Sequence, residues 1–395
     1  MIHPPSPLTF DPTTATLMAG VPAINSALYR KIRFSVPDPA VLLELPTDNA
    51  NFQTLLILRD IELERARQHA HVDKVACPAD FAPEAGLSGD RETATAQAAV
   101  ECLRRAGIHR VVGDRTVPLL VVDLLLEAGI QIVCDHDMGV SDRRSKDQQE
   151  TDWLRQSQQV TELAIEMACT MIARATPGTH GVLLKDGLPL TSERVRAEID
   201  HFLLEQNFSN PPSIVAGGPA GGDCHELGHG ELRTGQPVVI DIFPCHRDTR
   251  YVGDCTRTVV HGEIPDAVAK MHSAVMAAKK AAIGSVQAGV TGEDVHRAAI
   301  EIICEHGYAL GLPQKDDDPA YCAMTHGTGH GVGLDVHEPP LLDFNGPELV
   351  AGDALTIEPG LYCRGIGGVR VEDMVIVTDD GCENFNTLPA GLSWS

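Results

Sequence analysis

Three histidines, His326, His330 and His337, fall within twelve residues together with four glycines, inside the stretch 321–340. Histidine is the commonest metal ligand and the usual proton shuttle near neutral pH. Glycine lets a backbone approach a ligand closely, and Pro339 and Pro340 stop any continuing helix. Four carboxylates stand out elsewhere because each interrupts an apolar run: Asp241 after VVI, Asp254 in YVGDCTRT, Glu358 in LTIEPG and Glu372 in VRVEDMVIV. A buried carboxylate needs a cation or several hydrogen bonds. The basic residues near these runs are Arg257, Arg364 and Arg370. Taken singly, Asp241 or Glu372 could pair with Arg257 or Arg370, and Asp254 with Arg257. Taken together, four negative charges match two divalent cations, and a neutral His330 completes an oxygen-rich ligand set. Such a pair of ions lowers the pKa of a shared water and clamps both oxygens of a hydrolytic transition state.

Strands must hold these carboxylates. Residues 235–244 and 250–262 read as two strands that face each other, with Asp254 in the second and CHRDT in their hairpin. Residues 354–363 and 367–381 read as two more. Two helices precede each pair. The first, from 149 to Pro177–Gly178, carries Trp153, Val160, Leu163, Met167 and Met171 on its core face; the second spans 191–207. Before the last strands come 264–284, with Pro265 near its start, and 291–307, capped by Thr291 with Asp294 and ended by Gly307. The order helix–helix–strands thus occurs twice, without a repeat in sequence. The strand and glycine-rich loop at 213–230 lack the GxxxxGK phosphate cradle.

Upstream, residues 1 to about 28 read as an irregular arm, 30–36 as a strand and 54–58 as a short buried strand. Residues 92–107 have helical composition, and 109–135 read strand–helix–strand. A polar break at 135–150 marks a boundary, giving an α/β domain at 1–144 and a second domain at 145–395. The first carries no cluster of acid, base or nucleophile and suits assembly or gating.

Composition narrows the classes. A chain of 395 residues with 43% hydrophobic content supports a large core. The formal net charge of −24 argues against broad binding of nucleic acid or anionic membrane. The N-terminal twenty residues lack a basic region followed by a long apolar core, so no secretory signal is expected there. Eleven scattered cysteines without CxxC pairs suit a reducing, cytoplasmic setting.

The motifs DIFP…YVGDCTRT, HGTGHGVGLDVHEPP, TIEPG and VRVEDMV, in that order, resemble the prolidase / Xaa-Pro aminopeptidase / methionine aminopeptidase family of metallopeptidases, family M24. The resemblance covers about residues 145–395. It implies a "pita-bread" catalytic domain, α+β, with a curved antiparallel sheet and pseudo-twofold helix–helix–strand halves, and a prolidase-type α/β domain before it. It implies Asp241, Asp254, His330, Glu358 and Glu372 as metal ligands, with Asp254 and Glu372 bridging or bidentate. His337, seven residues after His330, and His225 match the accessory histidines; His229 competes with His225 less well by its distance to Asp241. Glu358 would act as ligand and base, His225 and His337 as catalytic histidines, and His326, His337 and Arg370 as substrate-binding groups. Arg370 precedes Glu372 by two and so shares its strand face, placed to bond a ligand carboxylate. The gap of thirteen residues from Asp241 to Asp254 exceeds the family's by two, which points to a longer hairpin.

The implied activity is hydrolysis of Xaa-Pro peptide bonds, as aminopeptidase or dipeptidase, by a hydroxide held between two divalent ions. Manganese is expected, with zinc and cobalt as competitors, and a homodimer is the family's usual state. Two rivals keep the fold without this chemistry: a non-catalytic peptide- or protein-binding module, and a creatinase-like C–N hydrolase. Both lack the full ligand set in this family, whereas this chain has it.

Overall fold

The computed structural model of the chain describes residues 11–47, 49, 51–314 and 320–394. The first ten residues of the expected N-terminal arm lie outside them. The chain divides into two compact units, Met1–Arg143 and Arg144–Ser395.

The first unit is a six-stranded sheet with helices. Its strands are β1 (Thr14–Gly20), β2 (Ala40–Pro46), β3 (Phe52–Ile57), β4 (Lys74–Ala76), β5 (Arg110–Gly113) and β6 (Gln131–Cys134), in the order β4-β3-β2-β1-β5-β6. The expected arm therefore holds a central strand: β1 pairs antiparallel with β2 and parallel with β5. The strand expected at 30–36 is absent, because α1 (Ser26–Ile32) runs into it. The apolar alternation there misleads, since Ile32 buries on one helical face with Leu28 and Tyr29, and Arg33 at φ 49° ends the helix. The remaining helices are α2 (Leu63–His69), α3 (Arg91–Arg105) and α4 (Leu119–Glu127). β5, α4 and β6 form the expected strand–helix–strand unit, with β5 parallel to β6.

In the second unit, α5 (Gln148–Ala173) and α6 (Ser192–Glu205) cover β7 (Ile214–Gly217), β8 (Pro237–Ile242) and β9 (Cys255–Val260) across one core. The expected core face of α5 lies beside its most buried stripe: Val160, Met167 and Met171 pack half-buried against the core. Leu163 is 52% exposed, whereas Leu154, Ser157, Gln158, Thr161 and Ile165 are fully buried. Three of those are polar, which hid the true stripe from a purely apolar pattern. A second core packs α7 (Asp266–Ser285) and α8 (Gly292–Glu305) on the later strands. Thr291 and Asp294 make the expected capping box of α8.

The later strands form two sheets. One orders β10 (Ala309–Leu310), β11 (Cys322–Met324), β15 (Gly360–Cys363) and β16 (Gly367–Arg370). The other runs β13 (Glu338–Leu342), β12 (Gly329–Gly331), β14 (Ala354–Ile357), β17 (Asp373–Thr378) and β18 (Gly381–Asn384). What reads in sequence as two strands is thus one hairpin bent into four: β14 pairs with β17 in one sheet, and β15 with β16 in the other. Glu358 and Glu372 sit at the bend on either arm. Asp254 likewise lies just before β9, not within it, and the facing register is Asp241 with Thr256. No helix among the described residues is long and apolar enough to cross a membrane.

Arg257 ties the two halves of this unit together. Fully buried on β9, it contacts Asp373 Oδ1 at 3.0 Å and donates to the carbonyls of Thr256, Leu388 and Pro389. Lys279 of α7 reaches the other Asp373 oxygen at 2.6 Å. Arg257 therefore pairs with Asp373, not with Asp254. Breaking a buried ion pair from one side costs about 3–5 kcal/mol. Arg257→Leu is expected to lower the thermal midpoint by roughly 10 °C, measured by calorimetry; a shift under about 2 °C would mean the pair carries little.

Candidate metal centre

The five candidate ligands line one cavity of about 560 Å³. Asp241 comes from β8, Asp254 from the entry to β9, His330 from β12, and Glu358 and Glu372 from the bent hairpin. One ligand atom each from Asp254, His330 and Glu372 lies within 4.8 Å of the others. His330 Nε2 is 3.4 Å from Glu358 Oε1 and 3.9 Å from Asp254 Oδ2. His330 Nδ1 bonds the Gly331 carbonyl at 3.0 Å, so that nitrogen carries the proton and Nε2 offers its lone pair to the carboxylates.

Backbone contacts fix these side chains. Gln158 of α5 clasps Asp254 on both sides: its amide donates to the Asp254 carbonyl at 2.7 Å and accepts from the Asp254 N–H at 2.8 Å. Thr256 Oγ1 donates to Glu372 Oε2 at 2.8 Å, and the Glu358 N–H donates to the Thr328 carbonyl at 2.8 Å. At Gly329 an added Cβ would lie 1.9 Å from the Thr356 carbonyl oxygen. That approach brings β12 against the strand leading to Glu358. The buried Lys146–Glu338 pair, at 3.2 Å, sits behind the loop of His337; Glu338 also accepts the N–H groups of Leu334 and Asp335.

Electrostatics marks the cluster as short of positive charge. Burial pushes the carboxyls of Asp254 and Glu372 well up, and the neighbouring carboxylates push them further. Burial likewise raises Glu358 to about 7, with Asp241 adding to it. Arg370 is the main counterweight, donating Nη2 to Asp241 Oδ2 at 2.7 Å. The expected bond from Arg370 to a candidate ligand thus goes to Asp241 on another strand, not along its own strand to Glu372. The other Asp241 oxygen is buried without a hydrogen-bond partner among the described residues. An orphaned carboxylate oxygen beside mutually repelling carboxylates and an open imidazole nitrogen fits divalent cations.

The accessory residues fall into place unevenly. His337 is exposed, its ring 4.4 Å from that of His330 and nearly perpendicular. His225 is exposed and lines the cavity; His229, 79% exposed, lies 3.6 Å from Glu226 and outside the lining. His326 bonds Tyr362 Oη through Nε2 at 2.7 Å, and Tyr362 Oη accepts from Arg370 Nη1 at 2.8 Å. Burial, then the Arg370 charge, pulls His326 down to about 3, so its ring is neutral. Gln158, Thr256 and Tyr362 escape a reading by residue type. Thr256 had one signal, its place two residues after Asp254 on the same strand face; the other two had none.

Comparison with known proteins follows the same residues. Residues 152–379 match the profile of Metallopeptidase family M24. A "Probable dipeptidase PepE" of Mycobacterium bovis is 36% identical over 249 residues, covering 61% of this chain and 62% of that protein. An "Xaa-Pro dipeptidase" of Pyrococcus horikoshii is 31% identical over 226 residues, covering 56% and 59%. The chain thus spans less than two thirds of these relatives' length. Among solved structures, a prolidase from Pyrococcus horikoshii superposes with a TM-score of 0.74 at 22% identity, covering 96% of this chain and 95% of that one. Dipeptidase PepE from Mycobacterium ulcerans gives 0.71 at 26% identity, covering 96% and 92%. The fold is therefore that of the prolidases.

Asp254→Asn keeps size and removes charge from the centre of the cluster. It is expected to leave the thermal midpoint of metal-free protein unchanged or higher, since one repelling charge is gone. It is expected to weaken divalent-metal binding more than roughly tenfold, a loss that even outer-shell changes reach. Elemental analysis after dialysis and calorimetric titration read both; wild-type metal affinity would remove Asp254 from the site.

Proposed function

Because the chain belongs to metallopeptidase family M24, we propose that it is a metal-dependent exopeptidase cleaving the bond between a first residue and a following proline. The observation that carries this reading is the cluster of Asp241, Asp254, His330, Glu358 and Glu372 on one cavity, whose charge suits two divalent ions. Bound there, the ions would supply positive charge that acidifies a water and steadies the oxyanion of a hydrolytic transition state.

The chain's own groups divide the remaining work. Glu358 takes the proton of the attacking water and returns it to the leaving nitrogen. His337, at the exposed edge of His330, donates to the developing oxyanion. His225 steadies the substrate amide or its leaving nitrogen. Neutral His326 and Arg370, joined through Tyr362, form the wall against which the peptide lies. Residues 145–395 act as the catalytic domain, with pseudo-twofold helix–helix–strand halves, and residues 1–144 as a prolidase-type domain, in a chain that forms a homodimer. Eleven free thiols suit a reducing cytoplasm. The names of the Mycobacterium and Pyrococcus relatives favour the prolidase branch over removal of initiator methionine.

Hydrolysis of Xaa-Pro di- and tripeptides with added Mn²⁺, against a Met-Ala-Ser peptide, tests the assignment. The proline peptides are expected to be cleaved faster by at least tenfold; faster cleavage of Met-Ala-Ser would overturn the branch. Refilling metal-free enzyme with one ion type at a time is expected to give the highest kcat with Mn²⁺, as four carboxylates and one imidazole form a hard set. A clear maximum with Zn²⁺ would reverse the choice of metal.

A further inference from the structure

A second recess adjoins the catalytic cavity and shares two of its residues, His326 and Asp343. It has a volume of about 140 Å³. Ile300 of α8, Leu310 of β10, Met324 of β11 and Phe344 supply its apolar lining. An apolar cavity of about 150 Å³ is enough to hold a benzene-sized group. The recess is also well built on its polar side. His296, 4% exposed, bonds Thr328 Oγ1 at 2.9 Å and lies 3.4 Å from Asp343 Oδ1. Its ring meets Phe344 edge-on at 4.9 Å, and the Arg297 guanidinium lies over the same Phe344 ring at 5.5 Å. Phe344 is 53% exposed yet held by these two contacts.

Charge disfavours a peptide's terminal carboxylate at this wall. Asp343 is the carboxylate on the shared wall that is no candidate metal ligand, and its ion-pair neighbour among the described residues is His296 rather than a lysine or arginine. Arg370 is the one arginine or lysine among the described residues lining the cavity. Its guanidinium is spent on Thr256, the Cys224 carbonyl, Tyr362 and Asp241. A peptide that ended beside Asp343 would set its terminal carboxylate against a like charge. A peptide that continued would pass an uncharged amide there and could bury its next side chain.

Resting on the Xaa-Pro reading above, we propose that this recess is a specificity pocket for an apolar side chain downstream of the cleaved bond. The preferred substrates are then peptides longer than two residues with an apolar residue after proline.

Three peptides test this on the Mn²⁺-loaded full chain: Ala-Pro, Ala-Pro-Gly and Ala-Pro-Leu. The wild type is expected to rank them Leu over Gly over dipeptide in kcat/KM. Ile300→Phe fills the recess from a half-buried helix position. It is expected to cut the Leu-to-Gly ratio at least tenfold. Asp343→Asn is expected to raise the dipeptide relative to Ala-Pro-Gly. An unchanged Leu-to-Gly ratio in Ile300→Phe, with an unshifted thermal midpoint, overturns the pocket, and so does a wild type that prefers the dipeptide. If no proline peptide is cleaved, the exopeptidase reading fails on its own. The recess is then read by calorimetric binding of Ala-Pro-Leu and Ala-Pro-Gly to wild type and Ile300→Phe. Equal binding of the two by the wild type sinks the pocket; tighter binding of the Leu peptide, lost in the variant, upholds it.

Discussion

Four carboxylates line one cavity, and their mutual repulsion is the constraint the second unit must withstand. Asp254 and Glu372 are 3% and 2% exposed, so solvent screens little of it. The surroundings respond by fixing the backbone that carries each group. Gln158 holds Asp254 from both sides, Arg257 and Lys279 grip Asp373 beside Glu372, and Thr256 bonds Glu372 itself. These restraints come from α5, β9 and α7. A shift of any one carboxylate therefore strains a long helix, a central strand or the hairpin.

Much of the site was readable in sequence because a carboxylate inside an apolar strand is chemically conspicuous. Asp241 within VVIDI and Glu372 within VRVEDMVIV carry their own explanation: nothing else in such a run needs a charge. The histidine and glycine stretch was readable for a related reason, since Gly329 tolerates no Cβ against Thr356. The supporting shell was not readable. Gln158 sits on a helix face whose buried members are partly polar, so its inward direction depends on the strand it meets. Tyr362 and the Asp241–Arg370 pairing depend on which strands lie side by side, which residue types alone do not fix.

The fold was legible where periodicity is local and failed where tertiary context overrides it. The helix caps at Thr291 and the parallel strand–helix–strand at 110–134 follow from short-range pattern. The arm around β1 misread because a central strand needs neighbours far away in sequence, Leu42 and Val112 among them. The segment at 30–36 misread because three alternating apolar residues fit a strand as well as the end of a helix.

The bent hairpin has one more consequence, for how this sequence can change over time. Glu358 and Glu372 are spaced by a single backbone corner that belongs to two sheets at once, with Ile357 against Asp373 on one side and Gly360 against Arg370 on the other. Adding or deleting one residue there would slip a ladder and turn side chains to the opposite face. Between Asp241 and Asp254 the situation is reversed: the ladder closes at Ile242 and Cys255, and residues 243–253 lie outside it. A change of length in that turn leaves this ladder in register, whereas the corner admits substitutions but no change of length.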